Sequence, residues 1–180
     1  MSILQEYEEI NEMIGNGRVR AIEDYIEYCK KEKNKDILYS DIVYKEKEYN
    51  LFDKWFKKQI KPFEVDHFDE DCPYSVTLYQ EDYWYDWVKE QKIKSNKYGD
   101  GHCYNDAFNY YLGINNKDLN KRLEYDSENG LFCVYCRTIQ DAEEVAYELS
   151  SLYKNENKMV ELIKQVKKEF EYSFENNIRI

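Results

Sequence analysis

Leu123-Glu-Tyr-Asp-Ser-Glu-Asn-Gly-Leu-Phe-Cys-Val-Tyr-Cys136 decides the fold class. Asn129-Gly130 favours the positive backbone angles of a tight hairpin turn, and β-formers lie on both sides of it. Two strands joined by so short a turn can only be antiparallel. Directly beyond, Thr138 with Asp141 three residues on resembles a capping box. It opens a helix with Ile139, Ala142, Val145, Ala146, Leu149 and Leu152 inward. The unit is strand, turn, strand, helix.

A second hairpin is expected upstream. Phe63, Val65 and His67 alternate with acids, and after the turn Asp69-Glu-Asp-Cys-Pro73 so do Tyr74, Val76 and Leu78. Before it the period is helical: Val19, Ile22, Ile26 and Cys29 form one stripe, followed by the basic turn Lys30–Lys35. Tyr49, Phe52, Trp55, Phe56 and Ile60 form a second stripe that Pro62 stops. Between the hairpins, residues 81–91 predict a short aromatic helix. Gly99-Asp-Gly101 then leads into a helix bearing Tyr104, Phe108, Tyr111 and Leu112, closed by Gly113. The last helix carries Met159, Leu162, Ile163, Val166, Phe170 and Phe174. The expectation is an α+β fold: an antiparallel sheet built from two β-hairpins packed against helices, with an N-terminal helical extension over 1–61 and the α+β domain over 62–180.

A chain of 180 residues can bury a substantial core without disulfide or metal staples. Nothing in it approaches the roughly 20 apolar residues of a membrane span, and Met1-Ser-Ile-Leu-Gln-Glu-Tyr-Glu-Glu lacks the basic-then-apolar order of a secretory leader. A cytoplasmic protein is expected. The five cysteines are an odd number in such a chain, so reduced thiols are expected rather than disulfides.

Charge is distributed unevenly. Residues 62–88 carry eight carboxylates and no lysine or arginine, which is most of the formal net charge of −11. Those acids interleave with Tyr74, Tyr79, Tyr83, Trp84, Tyr85 and Trp87. A cluster of one sign steers a partner of the other, and rigid aromatics supply anchors. The plainer reading is a solvated acidic loop beside core aromatics. Nucleic acid is disfavoured as a direct ligand, because phosphate binding needs a basic track.

Candidate chemistry is thin. Cys133-Val-Tyr-Cys136 has zinc-knuckle or redox spacing, and His67, Cys72, His102 and Cys103 could in principle complete a tetrahedral site. On a strand, however, residues three apart point to opposite faces, whereas chelation needs both sulfurs together. A His102–Cys103 nucleophile pair lacks any elbow or oxyanion motif, and Gly99-Asp-Gly101 lacks the lysine of a phosphate loop. No catalytic residue, metal or cofactor is expected.

Two stretches together carry a family resemblance. Gly99-Asp-Gly-His-Cys-Tyr104 and Tyr125-Asp-Ser-Glu-Asn-Gly-Leu-Phe-Cys-Val-Tyr135 resemble the glycine turn and hairpin signature of the Immunity protein 51 family. Asp126, Glu128, Gly130, Phe132 and Tyr135 fall at the family's spacing, while His102, Cys103 and Tyr104 depart from it. The similarity covers roughly 62–165 and leaves 1–61 outside. It implies a cytoplasmic antidote that binds a cognate bacterial polymorphic toxin and has no catalytic residues.

Composition and resemblance lead to one expectation: a protein that binds a toxin with a basic surface, neither nucleic acid nor a membrane. The expected contact residues are Asp69, Glu70, Asp71, Tyr79, Glu81, Asp82, Trp84, Tyr85 and Asp86. The alternative is an acidic nucleic-acid mimic of the antirestriction or anti-CRISPR type, which needs carboxylates spaced regularly along an elongated face.

Overall fold

The computed structural model describes residues 3–68, 73–79, 100–128 and 130–175. Three helices come first: α1 (Ile3–Lys33), α2 (Tyr39–Tyr44) and α3 (Glu46–Gln59). Next are β1 (Glu64–His67) and β2 (Tyr74–Tyr79), then α4 (Asp100–Asn115) and the single turn α5 (Lys117–Asn120). The chain ends on β3 (Glu124–Tyr125), β4 (Leu131–Cys136), α6 (Ile139–Tyr153) and α7 (Glu156–Glu175). The α+β expectation holds.

Both hairpins form as read, and β2 pairs antiparallel with β4 to fuse them into one sheet of order β1-β2-β4-β3. The register sets the faces. Val65, Val76, Val134 and Tyr125 share a row on the inner face, as do Leu78 and Phe132. On the outer face Glu64, Thr77 and Cys133 form one row, and Asp66, Ser75, Tyr135 and Glu124 another. Cys133 and Cys136 accordingly part company: Cys136 joins the hydrophobic core and Cys133 does not.

The core is aromatic. Phe63 meets Phe108, Phe132 and Tyr153 edge-on, with ring centroids 5.7–6.1 Å apart, so the residue just before β1 locks α4, β4 and α6 together. α6 is the central helix, packed on α1 along one side and on the sheet along another. Its N-terminus is capped as expected, the Thr138 hydroxyl accepting from the Asp141 amide at 3.1 Å. The reciprocal half of the box is replaced: Asp141 turns to the Arg122 guanidinium at 2.6 Å. Ser150 and Lys154 reach the Gln59 carbonyl, satisfying an acceptor that the end of α3 leaves open.

Three expectations need correction. The N-terminal helical region contains three helices rather than two, because residues 34–38 leave the helical conformation before α2 and Lys45 is extended between α2 and α3. α1 also continues through the predicted basic turn as far as Lys33. Gly113 does not close α4, which runs on to Asn115; Asn116 then caps α5 by accepting from the Leu119 amide. The predicted aromatic helix over 81–91 lies outside the described residues.

Candidate partner-binding corner

The β3–β4 turn is closed by mutual backbone bonds between Glu128 and Leu131, 2.8 and 3.2 Å long. Behind it the Ser127 hydroxyl accepts from the Cys133 amide at 3.0 Å and donates to Asn105 Oδ1 at 3.1 Å. The start of α4 presses on the same turn. A Cβ added to Gly101 would stand 1.9 Å from the Glu128 carbonyl oxygen and 2.4 Å from that of Leu131. Only glycine fits where backbone meets backbone this closely. The glycine turn and the hairpin signature, two dozen residues apart in sequence, are therefore one joint.

Tyr79 ends β2 at this corner. It pairs with Leu131 on the outer face and is 44% exposed. The described chain breaks off after Tyr79 and resumes at Asp100, with Tyr79 paired to Leu131 and Gly101 packed on the β3–β4 turn. Asp69, Glu70 and Asp71 belong to the connection at the opposite end of β2, where the Phe68 amide bonds the Pro73 carbonyl at 2.7 Å. Of the nine expected contact residues only Tyr79 is described; the other eight lie outside the described residues.

The described part of the outer face carries further carboxylates beside the nine residues expected as contacts. Glu64, Asp66 and Glu124 stand exposed along it, with Asp126 and Glu128 exposed on the turn. None of the four strands contains a lysine or arginine. The centre of the face is buried: Ser75, Thr77 and Cys133 are each under 5% exposed. Burial pushes the Cys133 thiol up to about 11, and the nearby charges of Asp126, Glu128 and Asp66 act in the same direction. It is a poor nucleophile there. Among the described residues no group of three or more His, Cys, Asp or Glu side chains could hold a metal ion.

A second concave region lies on the other side of β1. A cleft of about 550 Å³ opens between α1, α3, the start of β1 and α6. At its back, Arg18 binds Glu143 through two nitrogens at 2.5 and 2.6 Å, Asp53 at 3.2 Å and the Tyr49 hydroxyl at 2.7 Å. Its guanidinium stacks 5.2 Å from the Phe56 ring centroid. Burial alone would lower the Arg18 pKa, but the hydrogen bond and charge of Glu143, with Tyr49 and Asp53, hold it above the ordinary arginine value. Arg18 sits one turn before Ile22 on the buried stripe of α1, and an arginine in that place was the one sequence signal of a buried ion pair.

A model of the family described as Immunity protein 51 matches residues 65–168, more than half of the chain. This protein belongs to that family. The match begins inside β1 and ends inside α7, so it takes in the whole corner and leaves α1–α3 outside. No curated protein and no solved structure matches the chain. Membership in a family of immunity proteins implies neutralisation of a cognate polymorphic toxin by binding it, not by catalysis, and it selects the toxin partner over the nucleic-acid mimic. No helix among the described residues is long and apolar enough to cross a membrane.

Proposed function

We propose that Tyr79, the β3–β4 turn and residues of the segment 80–99 are the contacts by which this immunity protein grips its toxin, and that the toxin surface they meet is basic. The observation supporting this reading is a braced acidic turn at one end of the sheet. Asp126 and Glu128 are exposed on a turn clamped from behind by Gly101 and Ser127, with the exposed ring of Tyr79 ending the neighbouring strand, and the sequence that follows Tyr79 is rich in acids and aromatics. A rigid turn presents its charges without first having to be ordered, which favours tight association. Carboxylates around Tyr79, Trp84 and Tyr85 combine a fast electrostatic encounter with apolar anchors. On this reading neither nucleic acid nor a lipid surface is a direct ligand. The helices of residues 1–61 are an extension that braces α6 from the far side.

The test is protection. The cognate toxin, expected to be encoded by the neighbouring gene, is expressed in cells with and without this chain, and the purified pair is examined for a stable complex. Survival together with a stoichiometric complex is the expected result. Continued killing in the presence of folded protein would overturn the reading.

A further inference from the structure

Among the described residues strand β1 lies at the edge of the sheet, paired with β2 on one side only. Its free side borders the 550 Å³ cleft, and the way it does so is informative. Phe63, Glu64, Val65 and Asp66 all line that cleft. Side chains alternate across a strand, so consecutive residues line one cavity only when the cavity runs along the backbone edge. The floor is apolar, formed by Phe56, Ile60 and Ile139.

The ladder identifies which backbone groups point away from β2. The Phe68 amide bonds the Pro73 carbonyl, so these two residues form a hydrogen-bonded pair just beyond the strands. Hydrogen-bonded and non-hydrogen-bonded pairs alternate along an antiparallel ladder. Glu64–Thr77 and Asp66–Ser75 are therefore the bonded pairs, and Val65 and His67 turn their N–H and C=O groups outward. An exposed row of such groups is a template for another strand.

Charge decides which strand it accepts. A second copy paired through β1 would bring Glu64 and Asp66 against their counterparts, a like-charge arrangement that disfavours self-association. Arg18, Lys57 and Lys61 around the cleft are already matched by Glu143, Asp53 and Glu64. Asp66 is exposed, and no basic side chain among the described residues pairs with it. The edge is open to an extended segment that places a basic side chain beside Asp66 and an apolar one over Phe56 and Ile60.

We propose that the toxin supplies such a segment, adding to β1 as a fifth strand of the sheet. The proposal rests on the toxin-binding reading above and deepens it, giving the complex a backbone-recognition site alongside the acidic corner.

Residue-resolved amide exchange on the free protein and on its complex with the cognate toxin tests it. Val65 and His67 amides are expected to exchange quickly in the free protein and at least about tenfold more slowly in the complex, while Glu64 and Asp66 are protected in both states. His67→Pro removes one outward donor without touching the β1–β2 ladder, a place where edge strands tolerate proline. Once its folding is confirmed by circular dichroism, this variant is expected to weaken toxin binding by at least about tenfold, and Asp66→Lys to do likewise. A stable complex with unprotected Val65 and His67 amides would overturn the fifth strand while leaving toxin binding intact. Protection of the same amides by self-association of the free protein would also overturn it, whereas failure to form any complex would instead sink the toxin-binding reading.

Discussion

Two regions of this molecule are built largely from carboxylates and use them in opposite ways. Along the α1–α6 joint Asp141, Glu143, Glu144 and Glu148 are each less than 10% exposed, and every one has a cationic or amide partner. Arg18 takes Glu143, Arg122 takes Asp141, and Arg20 with Asn116 takes Glu144 and Glu148. At the sheet's outer rim and the β3–β4 turn, Asp66, Asp126 and Glu128 stand in solvent, and no ion pair among the described residues holds them. Desolvated acids survive only when matched, so the joint's charges serve the fold. Unmatched acids at the surface cost the fold little and remain available to a partner.

The largest effect should come from breaking a match. Arg18→Ala leaves Glu143 desolvated beside α1 and is expected to cost about 3–5 kcal/mol in urea unfolding. Adding Glu143→Leu should recover much of that loss by removing the stranded charge. A loss under about 1 kcal/mol for Arg18→Ala alone would show that the joint depends on apolar packing instead.

Next in size is the clamp behind the turn. Gly101→Ala forces a methyl group into the Glu128 and Leu131 carbonyls and is expected to destabilise by about 1–3 kcal/mol while also weakening toxin binding, because the turn must move. Gly113 offers a control. A Cβ there meets nothing closer than the Asn120 side chain at 3.5 Å, so Gly113→Ala should be neutral or mildly stabilising in the same unfolding assay.

A smaller, gradual effect is expected from alkaline pH. Burial raises the Cys133 thiol to about 11, and raises Tyr125 and Tyr147 above the usual phenol value, the latter helped by Asp24. In the unfolded chain these groups ionise at about 8.5 for the thiol and about 10 for the phenols. Above those values the unfolded state releases protons that the folded state keeps, so stability is intact at lower pH and declines as pH rises from about 8.5 toward 11. Melting temperatures across that range check the sign. Cys133→Ser should flatten the early part of the decline, and an unchanged slope would place its source in the tyrosines.

Local pattern made much of this fold legible. Alternation around Asn129-Gly130 and before Pro73 located both hairpins, and the stripe from Ala142 to Leu152 located the inward face of α6. What local pattern does not contain is the partner of a strand. The β2–β4 pairing that joins the hairpins, with Val76 opposite Val134 and Leu78 opposite Phe132, depends on contacts more than fifty residues apart. Asn116 is a similar case: a polar residue after Gly113 and Asn115 gives little sign that it will cap a new turn and bind Glu144. At the candidate corner, composition pointed to the acids, but the meeting of Gly101 with Glu128 and Leu131 became visible only in three dimensions. Asp126 and Glu128 were read as family spacing rather than as contacts for the same reason.

The central proposal is that the acids of segment 80–99 and of the β3–β4 turn steer the toxin. The direct measurement is the association rate of the toxin with two double variants, Asp82→Lys/Asp86→Lys and Asp126→Lys/Glu128→Lys, at about 20 mM and about 300 mM salt, each variant first shown to be folded. Charge reversal is expected to slow association by roughly tenfold or more at low salt, with the gap to wild type narrowing at high salt as screening shortens the reach of the field. Association by both folded variants at the wild-type rate, with the same salt dependence, would contradict the account and put the toxin on another face of the molecule.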